Sequence, residues 1–146
     1  MKLKTIYAIM MMLVILAIAG CSDNTQSNPT GNAVADTNDD PGKTTVYFFW
    51  GDGCPHCAHE KPFLEEMQEK YPDIEIKMFE TWKNPENAKL FQEVAQAYGT
   101  RAQGVPTTFI GEKHWVGYAD YMGNEMESRI KDCLENGCIN PGDKLN

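Results

Sequence analysis

Thr45-Val46-Tyr47-Phe48-Phe49-Trp50-Gly51-Asp52-Gly53-Cys54-Pro55-His56-Cys57 is the stretch on which the reading of this chain turns. Its first six residues are β-branched or aromatic with almost no polar break, the pattern of a strand covered on both faces. Gly51-Asp52-Gly53 interrupts that pattern. A helix should begin within Cys54–Cys57, where Pro55 suits the first turn because an N–H there has no intrahelical partner to lose. The two cysteines therefore fall at a strand-to-helix junction, about one helical turn apart.

Downstream, Phe63, Met67 and Tyr71 step by four and are joined by Leu64, giving the helix one apolar face. Pro62 lies inside it and should kink it, and Tyr71-Pro72-Asp73 ends it. Ile74 to Phe79 alternates and then runs apolar, as a strand does. Asn84-Pro85 starts a second helix, with Asn as N-cap and Pro behind it. Its stripe is Leu90, Val94 and Tyr98, flanked by Phe91 and Ala95, and Gly99 closes it. Thr107–Ile110 and Lys113–Val116 flank Gly111-Glu112, a hairpin signal. Met122, Met126, Ile130 and Leu134 form a last helix, ended by Asn136-Gly137. The expected class is α/β, in the order β-α-β-α-β-β-α. Strands joined through a helix should be parallel and the hairpin antiparallel, so the sheet is mixed, with helices on both faces.

Upstream the composition changes. Lys2 and Lys4 precede an apolar run of 14 residues, Ile6 to Ala19. A membrane span needs about 20 such residues, whereas this length suits a secretory signal, read here as residues 1–20. The run ends Ile18-Ala19-Gly20-Cys21, which resembles the lipobox of prokaryotic lipoproteins. By that resemblance the chain is cut before Cys21, and Cys21 carries the lipid. The other reading is ordinary cleavage or an uncleaved anchor, with Cys21 a spare thiol. Residues 21–44 are polar, with Val34 the only larger apolar residue after Cys21, too little to offset ordering entropy, and read as a flexible tether. Residues 45–146 remain for one small domain. The formal charge is −8, and −10 once Lys2 and Lys4 leave with the signal. Such a domain lacks the basic patch that nucleic acid binding requires, and we read it as a monomer.

Of five cysteines, Cys21 aside, four fall in two close pairs, Cys54/Cys57 and Cys133/Cys138. An even count in an exported chain favours disulfides. At a helix start, unpaired N–H groups and the positive end of the helix dipole favour the thiolate, which is the nucleophile. Cys54 should therefore attack and Cys57 resolve. His56 can add charge or a hydrogen bond beside the Cys54 sulfur, which stabilises the reduced form and makes a stronger oxidant.

Trp50-Gly51-Asp52-Gly53-Cys54-Pro55-His56-Cys57 after a buried strand resembles the thioredoxin superfamily, and Cys-Pro-His-Cys itself the motif of DsbA-type oxidoreductases. Pro62 falls where thioredoxins place their helix-kinking proline. Gly104-Val105-Pro106-Thr107 resembles the loop bearing their cis-proline. The resemblance covers residues 45 to about 135. It implies a thioredoxin fold and thiol–disulfide exchange with protein substrates. It also implies a substrate groove at Val105 and Pro106, flanked by Trp50, and a membrane redox partner that recharges the pair. That partner is either an oxidising quinone-linked protein or a thiol-electron transporter. No bound cofactor is implied, since the dithiol serves. Two departures stand out. The strand aspartate that thioredoxins use for proton transfer to the second cysteine is replaced by Phe48, which leaves Cys57 without that acceptor; Glu80 is a weak candidate. The helical insertion of DsbA-type enzymes has no room between Gly99 and Val105. The motif thus points toward an oxidant and the minimal architecture toward thioredoxin, and the direction of electron flow stays open.

Other readings compete. Cys54, Cys57, His56 and His59 are the residue types of a zinc or copper site, so a metal-binding or metallochaperone module is the alternative, although four ligands within six residues converge poorly. A peptide-binding module without chemistry is a third. Haem attachment would need His where Ala58 stands. His59 reads as a solvated helix residue, His114 as structural or exposed, Asp52 as a turn residue, and Trp50, Trp82 and Trp115 as mainly core. Cys133/Cys138 reads as a structural staple, with a second redox pair as the other option.

Overall fold

The computed structural model describes Asp39 and residues 42–145. The expected signal segment 1–20, Cys21 and most of the tether 21–44 lie outside the described residues. Seven elements and a terminal turn follow one another. They are β1 (Thr44–Trp50), α1 (Pro55–Lys70), β2 (Ile74–Glu80), α2 (Pro85–Ala97), β3 (Thr107–Ile110), β4 (Lys113–Val116), α3 (Asp120–Asn136) and a 3-10 turn (Gly142–Leu145). The sheet order is β2-β1-β3-β4. β1 runs parallel to β2 and antiparallel to β3, and β3 pairs antiparallel with β4. This is the mixed sheet that the sequence pattern predicts, in the thioredoxin-like order that the resemblance implies.

β1 holds the centre because every residue from Thr44 to Phe49 is buried. Its side chains alternate between two layers. Val46 and Phe48 pack into a cluster with Leu64 and Met67 of α1 and Met126 and Ile130 of α3. Tyr47 and Phe49 face the other way, into a cluster with Leu90, Phe91 and Val94 of α2. In that second layer Phe49 stacks on Phe79 at 5.0 Å and on Phe91 at 4.7 Å, and meets Phe109 edge-on at 5.7 Å. Helices therefore cover both faces.

The helix ends follow from their caps. Asn84 accepts the N–H groups of Glu86 and Asn87 at 3.0 and 3.2 Å, ending the free chain before Pro85. Gly137, at φ 74°, closes α3 in the left-handed region that glycine adopts without penalty. The chain then turns back and Cys138 joins Cys133, with their Cα atoms 4.9 Å apart. So short a loop contributes about 2 kcal/mol by the chain-entropy argument.

Three expectations need revision. The face that α1 buries is Cys57, Glu60, Leu64 and Met67, while Phe63 and Tyr71 are only half-buried. The buried stripe thus includes a carboxyl, with Phe63 and Tyr71 packed against the margin of the same cluster. β1 starts at Thr44, one residue inside the expected tether, and Asp39, further back, is tied to the domain. Its carboxylate accepts hydrogen bonds from the Tyr47 hydroxyl at 3.0 Å, Lys77 Nζ at 3.2 Å and the Gly142 N–H at 3.0 Å. Last, the 3-10 turn was not expected. It is held by Asn140, whose side chain accepts Thr45 N–H at 2.8 Å and donates to the Lys43 carbonyl at 3.0 Å.

Candidate active site

β1, a central strand, ends at Trp50. The turn 51–53 then sets Cys54 at the N-cap of α1, with Pro55 at its first position. The Cys57 N–H donates to Cys54 Sγ at 3.2 Å, so the sulfur occupies the place a capping oxygen takes in other helices. An unpaired helix N–H and the dipole behind it both favour negative charge on that sulfur once the pair is reduced. Cys54 and Cys57 are joined as a disulfide, with Cα atoms 5.3 Å apart. Cys54 is 6% exposed and Cys57 1%, so the first cysteine is the one that another molecule can reach.

The loop before β3 faces the pair. The Val105–Pro106 peptide bond is cis, and the Val105 carbonyl oxygen lies 3.7 Å from Cys54 Sγ. The loop is anchored at both sides. The Gly117 N–H donates to the Pro106 carbonyl at 2.8 Å, and the Thr107 hydroxyl donates to the Gly104 carbonyl at 2.8 Å. Val105 is half-buried and Pro106 buried.

The remaining sequence-predicted residues distribute around this centre. Trp50 is half-buried with Lys61 Nζ 3.2 Å above its ring, a cation–π contact. His56 is exposed in the first turn of α1. His59 does not turn toward the sulfurs. Its Nε2 lies 3.2 Å from Asp120, and its ring meets Tyr118 edge-on. Among the described residues no three His, Cys, Asp or Glu side chains gather as a metal site. His114 stacks on Phe109 in the layer opposite the cysteines. Cys133 and Cys138 form the disulfide at the far end of α3.

Trp82, expected in the core, is instead 60% exposed. Its indole lies flat over Gly51, where an added Cβ would stand 2.3 Å from the ring. Gly51 is thus required by close approach, and Trp82 walls the turn that leads into Cys54. Glu80 ties the same turn together, accepting the N–H groups of Asp52, Trp82 and Lys83 at 3.2, 3.0 and 2.8 Å. Burial alone raises this carboxyl, but the N–H bonds outweigh it and hold Glu80 below the usual carboxylate range. Glu80 is therefore a fixed anion that organises the turn, and it is occupied as an acceptor.

The residue that sequence reasoning missed is Glu60. It is 0% exposed, three residues after Cys57 on the same face of α1. The Thr108 hydroxyl of β3 donates to its Oε1 at 2.5 Å, and its Oε2 has no hydrogen-bond partner among the described residues. Burial pushes this carboxyl up to about 7, with the Thr108 bond pulling it partway back. The only sequence signal was phase, since Glu60 lies four residues before Leu64 and seven before Met67. The sign of the stability effect follows. The folded state binds a proton that the unfolded chain has lost, so stability falls as pH rises from the ordinary glutamate range through about 7, then levels off. A Glu60→Gln variant should lose that slope and be more stable than wild type above pH 7, by a margin on the order of 3 kcal/mol, checked by urea unfolding at a series of pH values.

Residues 45–115 match the glutaredoxin family model. That match spans just under half of the chain, and with the sheet order it marks the fold as thioredoxin-like. Cys54 and Cys57 stand at disulfide distance within the matched stretch, at the start of α1. Among solved structures, a putative thiol:disulfide interchange protein DsbE from Chlorobium tepidum is similar at 20% identity. The match covers 64% of this chain and 81% of that one, with a TM-score of 0.51. Mitochondrial thioredoxin 3 of Saccharomyces cerevisiae, in its oxidised form, matches at 20% identity over 63% and 80% of the two chains, TM-score 0.49. The catalytic domain of Proteus mirabilis ScsC matches at 20% over 65% and 85%, TM-score 0.46. At 20% identity the likeness to the DsbE-like protein speaks to the fold alone. Comparison with curated proteins gives no match.

Proposed function

We propose that this domain is an extracytoplasmic, lipid-anchored thiol–disulfide oxidoreductase that exchanges disulfides with protein substrates through Cys54 and Cys57. The observation that carries the reading is the capped sulfur. Cys54 Sγ accepts the Cys57 N–H, lies at the surface end of the pair and faces the Val105 carbonyl. In the forward half-reaction a substrate sulfur joins Cys54 and the Cys54–Cys57 bond opens. In the reverse, Cys57 displaces the substrate. Val105 and Pro106 offer backbone to an extended peptide beside Cys54, Trp50 flanks the groove, and exposed His56 adds charge or a hydrogen bond to the reduced sulfur. The dithiol is its own redox carrier. Cys21 carries the lipid and holds the domain at the outer face of the membrane, where a membrane redox protein recharges the pair.

Two assays test the reading: reduction of insulin in the presence of dithiothreitol, and refolding of reduced ribonuclease. Activity in either supports it; activity in neither removes it. The potential of the pair against glutathione then assigns direction. A value near about −120 mV marks an oxidant and one near about −270 mV a reductant.

A further inference from the structure

Within the proposed exchange reaction, on which this inference rests, one step lacks a group. Cys57 must lose a proton to attack Cys54 and regain it when the disulfide opens, yet it is 1% exposed and Phe48 fills the strand position that could have carried an acid. We propose that Glu60 is the proton-transfer group for Cys57.

The placement supports this from several sides. Residues three apart on a helix are neighbours, roughly 5–6 Å between Cβ atoms, and both Cys57 and Glu60 belong to the buried face of α1. Thr108, which fixes Glu60 Oε1, is the register partner of Phe48 across β1 and β3. The carboxyl therefore occupies, from the helix side, the layer of the sheet where Phe48 replaces an acid on the strand side. Its second oxygen remains without a hydrogen-bond partner among the described residues, although a buried carboxyl normally satisfies both. One oxygen is held by the sheet and the other is left for a proton. The surroundings leave this acid to itself. β1 and β3 bring Phe48, Trp50 and Thr108, none of them charged. The segment before α3 brings Tyr118, whose hydroxyl is raised first by burial and then by Glu60 itself. On α1 the titratable groups one turn away are Cys57 and the exposed His56, while Lys61, the next residue, lies over the Trp50 ring. With burial placing its titration near 7, Glu60 changes charge in the range where exchange must run.

The step balances. In the mixed disulfide, ionised Glu60 takes the proton from Cys57 Sγ. The Cys57 sulfur forms a bond to Cys54 Sγ, the Cys54–substrate bond breaks, and the substrate sulfur leaves with the electron pair. In the opposite direction Cys57 leaves as thiolate and the protonated Glu60 returns the proton.

The test mixes the reduced full chain with oxidised glutathione, quenches in acid, and follows the mixed disulfide on Cys54 by mass as a function of pH. In wild type its resolution should accelerate as pH rises through about 7. Glu60→Gln keeps an acceptor for Thr108. It should form the mixed disulfide within about twofold of the wild-type rate but resolve it about 100-fold more slowly, with the pH step gone. Glu60→Asp should restore part of the rate. Thr108→Val removes the bond that lowers the carboxyl and should move the midpoint of the pH step upward, a change that a purely structural role would not produce. Resolution by Glu60→Gln at the wild-type rate and with the wild-type pH profile overturns the proposal. So does an unmoved midpoint in Thr108→Val. Failure of the underlying reading looks different: no mixed disulfide forms even in wild type, and that outcome overturns both.

Discussion

Cys54→Ser abolishes disulfide exchange while leaving the domain folded. Both halves follow from the position of the residue. The sulfur that meets the substrate is at the N-cap of α1, where it accepts the Cys57 N–H. Serine is among the best N-cap residues, so its hydroxyl takes over that hydrogen bond and the helix start persists. What disappears is the only sulfur of the pair with surface access, since Cys57 is nearly sealed. Turnover of insulin should fall to the uncatalysed background while circular dichroism and the unfolding midpoint stay close to those of reduced wild type. Cys57→Ser should act differently. Cys54 still attacks, but nothing displaces the substrate, so covalent adducts accumulate and can be captured from a mixture of protein thiols. Retention of turnover by Cys54→Ser would remove the assignment of the nucleophile.

The second large effect belongs to the opposite face. Phe49→Ala should destabilise the domain by about 3–5 kcal/mol, the range for truncating a fully buried Phe. Phe49 is 0% exposed and lies among Phe79, Phe91 and Phe109 with Tyr47 edge-on beside it. Four rings packed around one cannot collapse into the vacancy without leaving their own contacts. A domain of this size has a total stability of about 5–15 kcal/mol, so the loss is a large share. The cysteines lie in the other layer of the sheet. Activity per folded molecule should therefore survive, measured in urea titrations alongside turnover below the unfolding midpoint. A loss below about 1 kcal/mol would show that the aromatic layer is not the main support of the fold.

Much of the architecture was open to reading because local pattern and tertiary role agree. The apolar run 45–50 has the composition of a central strand because both of its faces are covered. Asn84-Pro85 and Gly99 bracket α2, and Gly111-Glu112 turns the hairpin, because each is a backbone requirement that is satisfied within a few residues. The cysteines and Pro62 were legible for the same reason, whereas the cis bond at Val105-Pro106 was expected from the resemblance to thioredoxins. Reading failed where the cause is distant in sequence. Glu60 looks like any solvent-facing glutamate of a helix, and only its contact with Thr108, 48 residues on, reveals a buried acid. Trp82 looks like core, and only the bare backbone of Gly51 explains why a largely exposed indole has a fixed seat. The 3-10 turn depends on Asn140 reaching β1 and Asp39 reaching Gly142, separations of 95 and 103 residues. Glu80 was considered as a proton acceptor for its position at the end of β2, but three N–H groups already claim its oxygens.

The alternation of β1 limits how this chain can diverge. Val46 and Phe48 support the cysteine side, and Tyr47 and Phe49 support the aromatic side. One strand therefore carries two separate demands written on odd and even positions. A single inserted or deleted residue within 45–49 would exchange the two sets, sending the stacked rings under the disulfide and the thiol-side residues against α2. Substitutions can accumulate on either side independently, but length cannot. Relatives of this domain should thus vary in size at 99–104 or beyond Gly137, and an engineer seeking a hardier version can rework the α2 layer residue by residue while the exchange chemistry on the other side goes undisturbed.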